Sequence, residues 1–139
     1  MWVWNPKMER FILGFLLILA LGDGILRFTI LERIICNDGV AFGIILPGFL
    51  LWTFVGALLA VSVWQIQQIR EPMRLAWWAI LIGGFVNAID RLFYGCVHDY
   101  LTIPLFPSFN LADMMLFLGV AYLLARMTGI FSTGKTYVS

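Results

Sequence analysis

Residues 39–69 read GVAFGIILPGFLLWTFVGALLAVSVWQIQQI, a stretch without a single charged side chain. A helix needs roughly 20 largely apolar residues to cross the hydrocarbon core of a bilayer. A turn that leads into a helix is predicted where the uncharged stretch begins, from the residues Asn37, Asp38 and Gly39. We therefore expect a membrane-spanning helix at about residues 44–64.

The whole chain has the composition of a polytopic membrane protein. Of its 139 residues, 62% are hydrophobic and 12% are charged, and the mean hydropathy is +0.94. Soluble domains carry about 25% charged residues. The net charge of +1 gives no reason to expect a nucleic-acid partner. Further apolar stretches predict spans at about 11–30, 75–94 and 111–131, so residues 1–139 are expected to form one all-α domain, a four-transmembrane-helix bundle.

The charged residues predict the orientation of this bundle, because basic residues concentrate on the cytoplasmic side of membrane proteins. Six of the nine Lys and Arg residues flank one set of helix ends. They are Lys7, Arg10, Arg70, Arg74, Arg126 and Lys135. Both termini are therefore predicted inside. Six of the eight acids fall on the other, outer side, which indicates a working site at the outer membrane face.

Two Asn-x-x-Asp frames lie next to apolar stretches: Asn87 and Asp90 near the end of the third span, and Asn110 and Asp113 at the start of the fourth. Carboxylates at such depths are usually paired, hidden in the bundle interior or used for chemistry. Asn87, Asp90 and Arg91 share one helical face. This favours an interhelical hydrogen-bond cluster in which Asp90 and Arg91 neutralise each other.

Asn110 and Asp113 fit two interpretations. The first is a helix cap, with Asn110 at the N-cap and Asp113 at N3. The second involves Asp99, which a short loop between two helix ends can bring close to Asp113. Two close carboxylates share a proton, as in an aspartic peptidase, where one activates water and the protonated partner polarises the scissile carbonyl. A solvated Asp99 is the alternative.

The remaining polar residues of the predicted outer half favour structural roles. Asp23 and Arg27 can neutralise each other at i, i+4. His98 has no second histidine or ligand-spaced cysteine group, so we expect a local hydrogen bond and no metal. Cys36 and Cys96 lie on the side where disulfides are permitted. A disulfide between them is one possibility, but we favour unbonded cysteines, since the sequence does not place their Cα atoms within bonding range.

Three sequence blocks resemble the lipoprotein signal peptidase family (signal peptidase II), which are membrane aspartic peptidases of bacteria. Residues 37–42 (NDGVAF) are similar to the family block N-x-G-x-A-F. Residues 83–91 (GGFVNAIDR) and 95–99 (GCVHD) resemble G-N-x-x-D-R and G-x-V-x-D. Residues 109–113 (FNLAD) resemble F-N-x-A-D, and residues 23–27 (DGILR) are a weaker echo of an Asp and Lys pair.

The resemblance implies roles for individual residues. Asp99 and Asp113 correspond to the catalytic dyad, and Asp90 supports Arg91 or the helix end, while Asp23 and Arg27 are supporting residues. The residues that line the site and position the substrate are Asn37, Gly39, Asn87, Arg91 and Asn110. The implied substrate is a prolipoprotein, cut before its diacylglyceryl-modified cysteine at the outer face of the bacterial cytoplasmic (inner) membrane. The family needs no metal or organic cofactor, and a monomer embedded in membrane lipid is expected.

The chain also departs from the family pattern. Val86 replaces a glycine beside Asn87, and its larger side chain argues against close helix packing at that position. His98 stands at a position that is commonly apolar. Arg27 replaces the usual lysine. The outer segment between the first span and Asn37 is short, so the family's small β-sheet over the site is expected to shrink to a strand or a turn. Residues 102–109 contain two prolines and are not expected to be helical throughout.

Two other functions fit parts of the pattern. A cluster of Asp, Asn and Arg within a membrane can serve a small ion- or proton-translocating protein. Such a relay, however, distributes its acids through the membrane, and these acids gather at one face. An inactive structural relative, in which Asn110 and Asp113 merely cap a helix, is the second alternative.

Overall fold

Four helices and two short strands make up the computed structural model, which describes residues 6–29, 34–40, 44–70 and 72–129. In chain order they are α1 (Pro6–Thr29), β1 (Ile35–Asn37), α2 (Gly48–Gln68), α3 (Met73–Tyr94), β2 (Val97–Asp99) and α4 (Leu111–Met127). A helix therefore lies at each of the four predicted spans. The last residues of the predicted fourth span, 130 and 131, and Lys135 lie outside the described residues.

Proline and glycine determine several helix boundaries. α2 begins four residues later than predicted, because Pro47 is extended (φ −51°, ψ 141°) and the helix forms only after it. α3 begins after Pro72 and ends at Gly95, whose φ of 79° is left-handed. The Gly95 N–H donates to the Arg91 carbonyl at 2.9 Å. This is the conformation that glycine adopts most readily at a helix C-terminus.

Small residues let α3 and α4 approach closely. A Cβ atom added at Gly83 would lie 2.5 Å from the Ala112 carbonyl oxygen, and one at Gly119 would lie 2.7 Å from the Ala76 carbonyl oxygen. Small residues play this part at helix contacts in membranes. Val86 instead packs, partly buried, against the apolar core. The close approach of α3 to α4 therefore occurs at Gly83 and Gly119.

The outer surface of the bundle is apolar. In α2 only Val55 and Ser62 are buried, and large side chains such as Phe49, Phe11 and Phe117 are more than two-thirds exposed on their helices. Within the described ranges, Gly48–Gln68 and Met73–Tyr94 are long and apolar enough to cross a membrane. The surface is thus suited to lipid, and the crossing of α1 and α4 stays a prediction.

A disulfide and a small sheet join the α1–α2 connection to the end of α3. β1 pairs antiparallel with β2, with Ile35 opposite Asp99 and Asn37 opposite Val97. Cys36 and Cys96 are bonded, with Cα atoms 5.5 Å apart. The expectation of unbonded cysteines was wrong, because the β1–β2 pairing brings together two segments that are 60 residues apart in sequence. Among its described residues the shortened segment has one strand, β1, as expected.

The proline-containing connection between β2 and α4 is not helical, as predicted. An isolated bridge between Leu101 and Phe109 closes it at its base. The Phe109 N–H donates to the Leu101 carbonyl at 2.9 Å. Ile103, Leu105 and Phe106 are exposed at its tip. The connection therefore returns the chain directly from β2 to the start of α4, which brings Asp99 beside the first turn of that helix.

Candidate active site

The predicted polar residues gather at one end of the bundle, here called the site end, where β1, β2, the end of α3 and the start of α4 meet. Asp99 is the last residue of β2 and is fully buried. Asn37 Nδ2 donates to its Oδ2 and Asn110 Nδ2 to its Oδ1, both at 2.8 Å. Asp99 is therefore a buried, hydrogen-bonded carboxylate, and the alternative of a solvated Asp99 was wrong.

Asn110 joins the two carboxylates predicted as a dyad. Its Oδ1 accepts the Asp113 N–H at 2.8 Å, and Asp113 Oδ2 accepts the Asn110 N–H at 3.3 Å. This is the capping box predicted from sequence. Because Asn110 Nδ2 also contacts Asp99, the cap and the carboxylate pair coexist. The predicted cap thus holds Asp113 beside Asp99.

Asn87 approaches Asp113 from α3. Its Nδ2 donates to Asp113 Oδ1 at 2.7 Å, and its Oδ1 accepts from Arg27 Nη2 at 3.0 Å. An arginine can only donate hydrogen bonds. Arg27 therefore fixes which way the Asn87 amide points, so that the amide NH₂ group faces the carboxylate.

Asp23 ties α1 to the start of α4. It pairs with Arg27 at 2.6 Å, as its i, i+4 spacing predicted. Its second oxygen accepts the Tyr100 hydroxyl at 2.7 Å and the Leu111 N–H at 3.0 Å, with the Ala112 N–H at 3.4 Å. Helix N-termini leave such N–H groups unpaired. Burial, followed by the hydrogen bond to Asp23, raises the pKa of Tyr100, so this phenol stays protonated as a donor.

Asp90 has different partners from those expected. It accepts hydrogen bonds from Arg27 and from the His98 N–H, the latter at 2.6 Å, and His98 Nδ1 lies 3.0 Å from its other oxygen. The predicted pairing with Arg91 is therefore replaced by pairing with Arg27, which the α1–α3 contact brings alongside. Asp90 bonds to the segment that follows α3 through the His98 N–H, and the local hydrogen bond expected for His98 is present.

Gly39 and Arg91 form the rim beside β1. Arg91 Nη2 donates to the Gly39 carbonyl at 2.6 Å, and the Gly39 N–H donates to Asn37 Oδ1 at 2.8 Å. The turn thus orients the Asn37 amide so that its NH₂ group faces Asp99. Arg91 Nε is buried and has no hydrogen-bond partner among the described residues. The five residues predicted to position substrate are Asn37, Gly39, Asn87, Arg91 and Asn110, and all five lie at this end.

The surroundings of Asp99 make it a weaker acid than an ordinary aspartate. Burial raises the pKa of Asp99 to about 6, and the nearby Asp113 carboxylate acts in the same direction. Hydrogen bonds from Asn37 and Asn110 and the positive charge of Arg27 oppose this rise. Each oxygen of Asp99 and Asp113 accepts one of the hydrogen bonds above and can accept another. Both carboxylates therefore have acceptor capacity left for a water molecule.

One group of side chains has metal-ligand spacing. The ligand atoms of Cys36, Asp38 and Cys96 lie within 4.8 Å of one another. Zinc binds cysteine as the thiolate, and both sulfurs are consumed by the disulfide. These residues therefore do not form a metal centre in the oxidised protein.

Sequence reasoning missed three contributors to the site: β2, the disulfide and Tyr100. Tyr100 follows Asp99 directly, so its proximity was available from the sequence. Its partner Asp23 is 77 residues away. The hydrogen bond between Tyr100 and Asp23 forms because α1 packs against the start of α4. No local sequence pattern predicts this contact.

The helical bundle has the fold of solved bacterial membrane enzymes. The fold matches a solved "Bacterial membrane enzyme" with a TM-score of 0.73 and 20% identity, covering 98% of this chain and 97% of that chain. A second structure with the same description gives a TM-score of 0.69 at 20% identity, covering 89% and 94%. The chain is accordingly a mostly helical membrane protein.

The chain belongs to the signal peptidase II family, whose model, Signal peptidase (SPase) II, matches residues 3–129. It is 35% identical over 91 residues to a lipoprotein signal peptidase of Moorella thermoacetica, covering 63% of this chain and 61% of that protein. One from Francisella tularensis subsp. mediasiatica is 30% identical over 148 residues, covering 87% and 92%. The matches to the first relatives, such as that from Moorella, span about three-fifths of their length.

Proposed function

We propose that this protein is an aspartic endopeptidase that removes signal peptides from diacylglyceryl-modified prolipoproteins. Its membership of the signal peptidase II family and its likeness to proteins named lipoprotein signal peptidase support this substrate. Asp99 and Asp113 are the proposed catalytic dyad. The observation that carries the proposal is that Asn110, buried at one end of the bundle, hydrogen-bonds to both carboxylates: its Nδ2 donates to Asp99 and its backbone N–H donates to Asp113.

The proposed setting is the bacterial cytoplasmic (inner) membrane, with all four helices spanning, both termini inside and the site end outward. The basic residues on the predicted inner side and the apolar surface of the bundle support this orientation. A substrate whose lipid-modified cysteine is anchored at the outer face would present its scissile bond at that depth. We propose a monomer surrounded by membrane lipid as the working unit, with no cofactor.

The geometry supports a water-mediated mechanism. The ionised member of the dyad takes a proton from a bound water molecule. At the same time the water oxygen attacks the scissile carbonyl carbon. The protonated member gives its proton to the carbonyl oxygen. When the resulting diol collapses, the C–N bond breaks, the leaving amine takes up one proton, and the other remains on the dyad. The dyad thus ends, as it began, with a single proton.

The surrounding residues have proposed positioning roles. Asn37, Asn87 and Asn110 orient the carboxylates through the hydrogen bonds described above. Arg91 has a buried Nε without a partner among the described residues, which suits it to donate to a substrate carbonyl. Gly39 holds Arg91 through its own carbonyl.

Both alternative functions are less well supported. The acids Asp23, Asp90, Asp99 and Asp113 all take part in the hydrogen-bonded network at the site end. An ion relay needs polar groups distributed across the membrane. An inactive relative could keep the helix cap, but the contact of Asn110 with Asp99 is not required for capping.

The test is cleavage of a purified diacylglyceryl-modified precursor by the detergent-solubilised protein. The wild type should release the signal peptide, and the same precursor without the lipid should be a poor substrate. Asp99→Asn and Asp113→Asn should each abolish cleavage. Glu9→Gln is the matched control, because Glu9 pairs with Arg74, away from the site. Full cleavage by either Asp→Asn variant would remove the dyad from the mechanism.

A further inference from the structure

The Cys36–Cys96 disulfide joins the two chain segments that meet at Asp99 of the proposed dyad. One segment contains β1 and the other contains β2. Cys36 directly precedes Asn37, whose Nδ2 donates to Asp99 Oδ2 at 2.8 Å. Cys96 directly precedes β2, which ends at Asp99. The covalent bond therefore connects the hydrogen-bond donor to the strand that carries its acceptor.

The noncovalent contacts of β1 are weak by comparison. The sheet consists of two three-residue strands, and isolated two-stranded ribbons are marginally stable. Ile35 is about half exposed, so β1 buries little apolar surface there. Cys96, by contrast, is buried beside the end of α3. The disulfide thus anchors a weakly held strand to a firmly packed one.

We propose that the Cys36–Cys96 disulfide is a positioning element of the active site, which holds the Asn37 amide on the Asp99 carboxylate. This inference rests on the proposed peptidase function for its catalytic meaning. The reduced protein would keep the helical bundle and the link between Asp99 and Asp113 through Asn110. It would lose the fixed contact between Asn37 and Asp99.

Reduction by dithiothreitol gives a defined change. The reagent's two thiols become a cyclic disulfide, and the Cys36–Cys96 bond takes up the two electrons and two protons to become two thiols. Closing the chain between these cysteines then depends on noncovalent contacts, which are the two short strands and the hydrogen bonds of Asn37 and Gly39, against the entropy of a 60-residue separation. Asn37 is consequently free to leave Asp99.

The titration of Asp99 reports this contact. The hydrogen bond from Asn37 lowers the pKa of Asp99, so its loss raises that pKa above the oxidised value of about 6. The charged groups that act on Asp99 from the helices are Asp113 of α4, Arg27 of α1 and Arg91 of α3. None of them lies on β1, so we expect reduction to leave them in place. The shift therefore isolates the contribution of Asn37.

The experiment follows the Asp99 carboxyl carbon by ¹³C NMR in detergent as a function of pH, before reduction, after reduction and after reoxidation. Free thiols are counted at each stage by alkylation. We expect a reversible rise in the pKa of Asp99 on reduction. We also expect about a tenfold loss of kcat/KM for the lipid-modified precursor, the effect of losing one hydrogen bond to a charged group.

Two variants distinguish positioning from general stabilisation. Asn37→Ala should resemble the reduced wild type, and its Asp99 titration should not change further on reduction, because the two changes remove the same contact. Cys36→Ala/Cys96→Ala should resemble the reduced wild type and be insensitive to dithiothreitol. A merely structural disulfide would change the melting temperature without moving the titration.

An unchanged Asp99 titration in protein with two free thiols would overturn the inference. So would a titration shift on reduction that is just as large in Asn37→Ala. The NMR result does not depend on peptidase activity, so failure of the proposed function is recognised separately, by full cleavage in Asp99→Asn. If the oxidised wild type cleaves and reduction moves neither the rate nor the titration, the positioning role alone is wrong.

Discussion

The two Asn-x-x-Asp frames have the same spacing and opposite surroundings. Asn87 and Asp90 lie near the C-terminal end of α3, and Asn110 and Asp113 lie at the N-terminal start of α4. Asp90 is compensated by Arg27 and His98. Asp113 is held by the backbone and by amide side chains, with no ion pair to Arg or Lys among its described contacts.

This difference shows how position on a helix separates the roles of two identical motifs. A negative charge is unfavourable at a helix C-terminus, so Asp90 requires the positive charge that Arg27 supplies. A helix N-terminus favours a carboxylate without a counter-ion. Asp113 therefore has its oxygens bound by neutral groups and available to share a proton with Asp99. The first frame supports the site, and the second takes part in the proposed chemistry.

The largest expected effect is a difference in cleavage rate between variants of Asp113 and Asp90. Asp113→Asn should lower kcat for the lipid-modified precursor by about 10³-fold or more, since it removes an acid–base group. Asp90→Asn keeps the shape and should cost far less, because Asp90 acts only through Arg27 and His98. Steady-state cleavage assays on the two variants make the comparison. Equal losses would mean that the frames are not functionally distinct.

The second effect is on the free energy of unfolding. Here we expect the larger loss at Asp90 and the smaller loss at Asp113. Asp90→Ala leaves Arg27 buried with one counter-ion fewer, and breaking a buried pair costs about 3 kcal/mol or more. Asp113→Ala removes no counter-ion and should cost less. Reversible unfolding of both variants in mixed micelles gives the two free energies. A larger loss for Asp113→Ala would contradict the supporting role of Asp90.

The pH dependence of stability tests the environment of Asp99. Its pKa rises from 3.8 to about 6 on folding, so between these values the native state holds a proton that the unfolded chain has released. The contribution is therefore present below about pH 4 and is lost as the pH rises through about 6, amounting to about 3 kcal/mol. Unfolding measured across this range should show the decline in the wild type. In Asp99→Ala the decline should be reduced by that amount.

The smallest effect concerns the cap. Asn110→Ala removes the side-chain acceptor for the Asp113 N–H, and losing an N-cap costs about 1 kcal/mol. It also removes the donor to Asp99, so activity should fall further than stability alone explains. Asn110→Ser preserves a capping oxygen and serves as the matched control. If Ser restored activity fully, the link between the two carboxylates would have no catalytic importance.

Much of the architecture could be predicted from local chemistry. The apolar stretches located four helices, and the capping box at Asn110 and the i, i+4 pair of Asp23 and Arg27 follow from spacing alone. Pro47 carried the information for the start of α2, but the uncharged stretch around it is longer than a span and left the boundary open. The resemblance to the family predicted the dyad and its neighbours, which spacing alone left as one of two interpretations.

The errors concern contacts between segments that are distant in sequence. Asp90 was assigned to its neighbour Arg91, whereas Arg27 reaches it from α1 across 63 residues. The disulfide was not expected for the same reason, since it depends on the β1–β2 pairing. Local periodicity encodes helices but not which helices meet, and at this site the charge compensation is supplied by partners on other elements.

The most direct test of the central claim is whether Asp99 and Asp113 act as a unit. Single-turnover cleavage of the lipid-modified precursor is measured for Asp99→Asn, Asp113→Asn and the double variant, with Asp90→Asn alongside. Groups that act as a unit are strongly non-additive. We predict that each single variant is as inactive as the double one, while Asp90→Asn still cleaves. Independent, multiplying losses, or full cleavage by either single variant, would contradict the dyad.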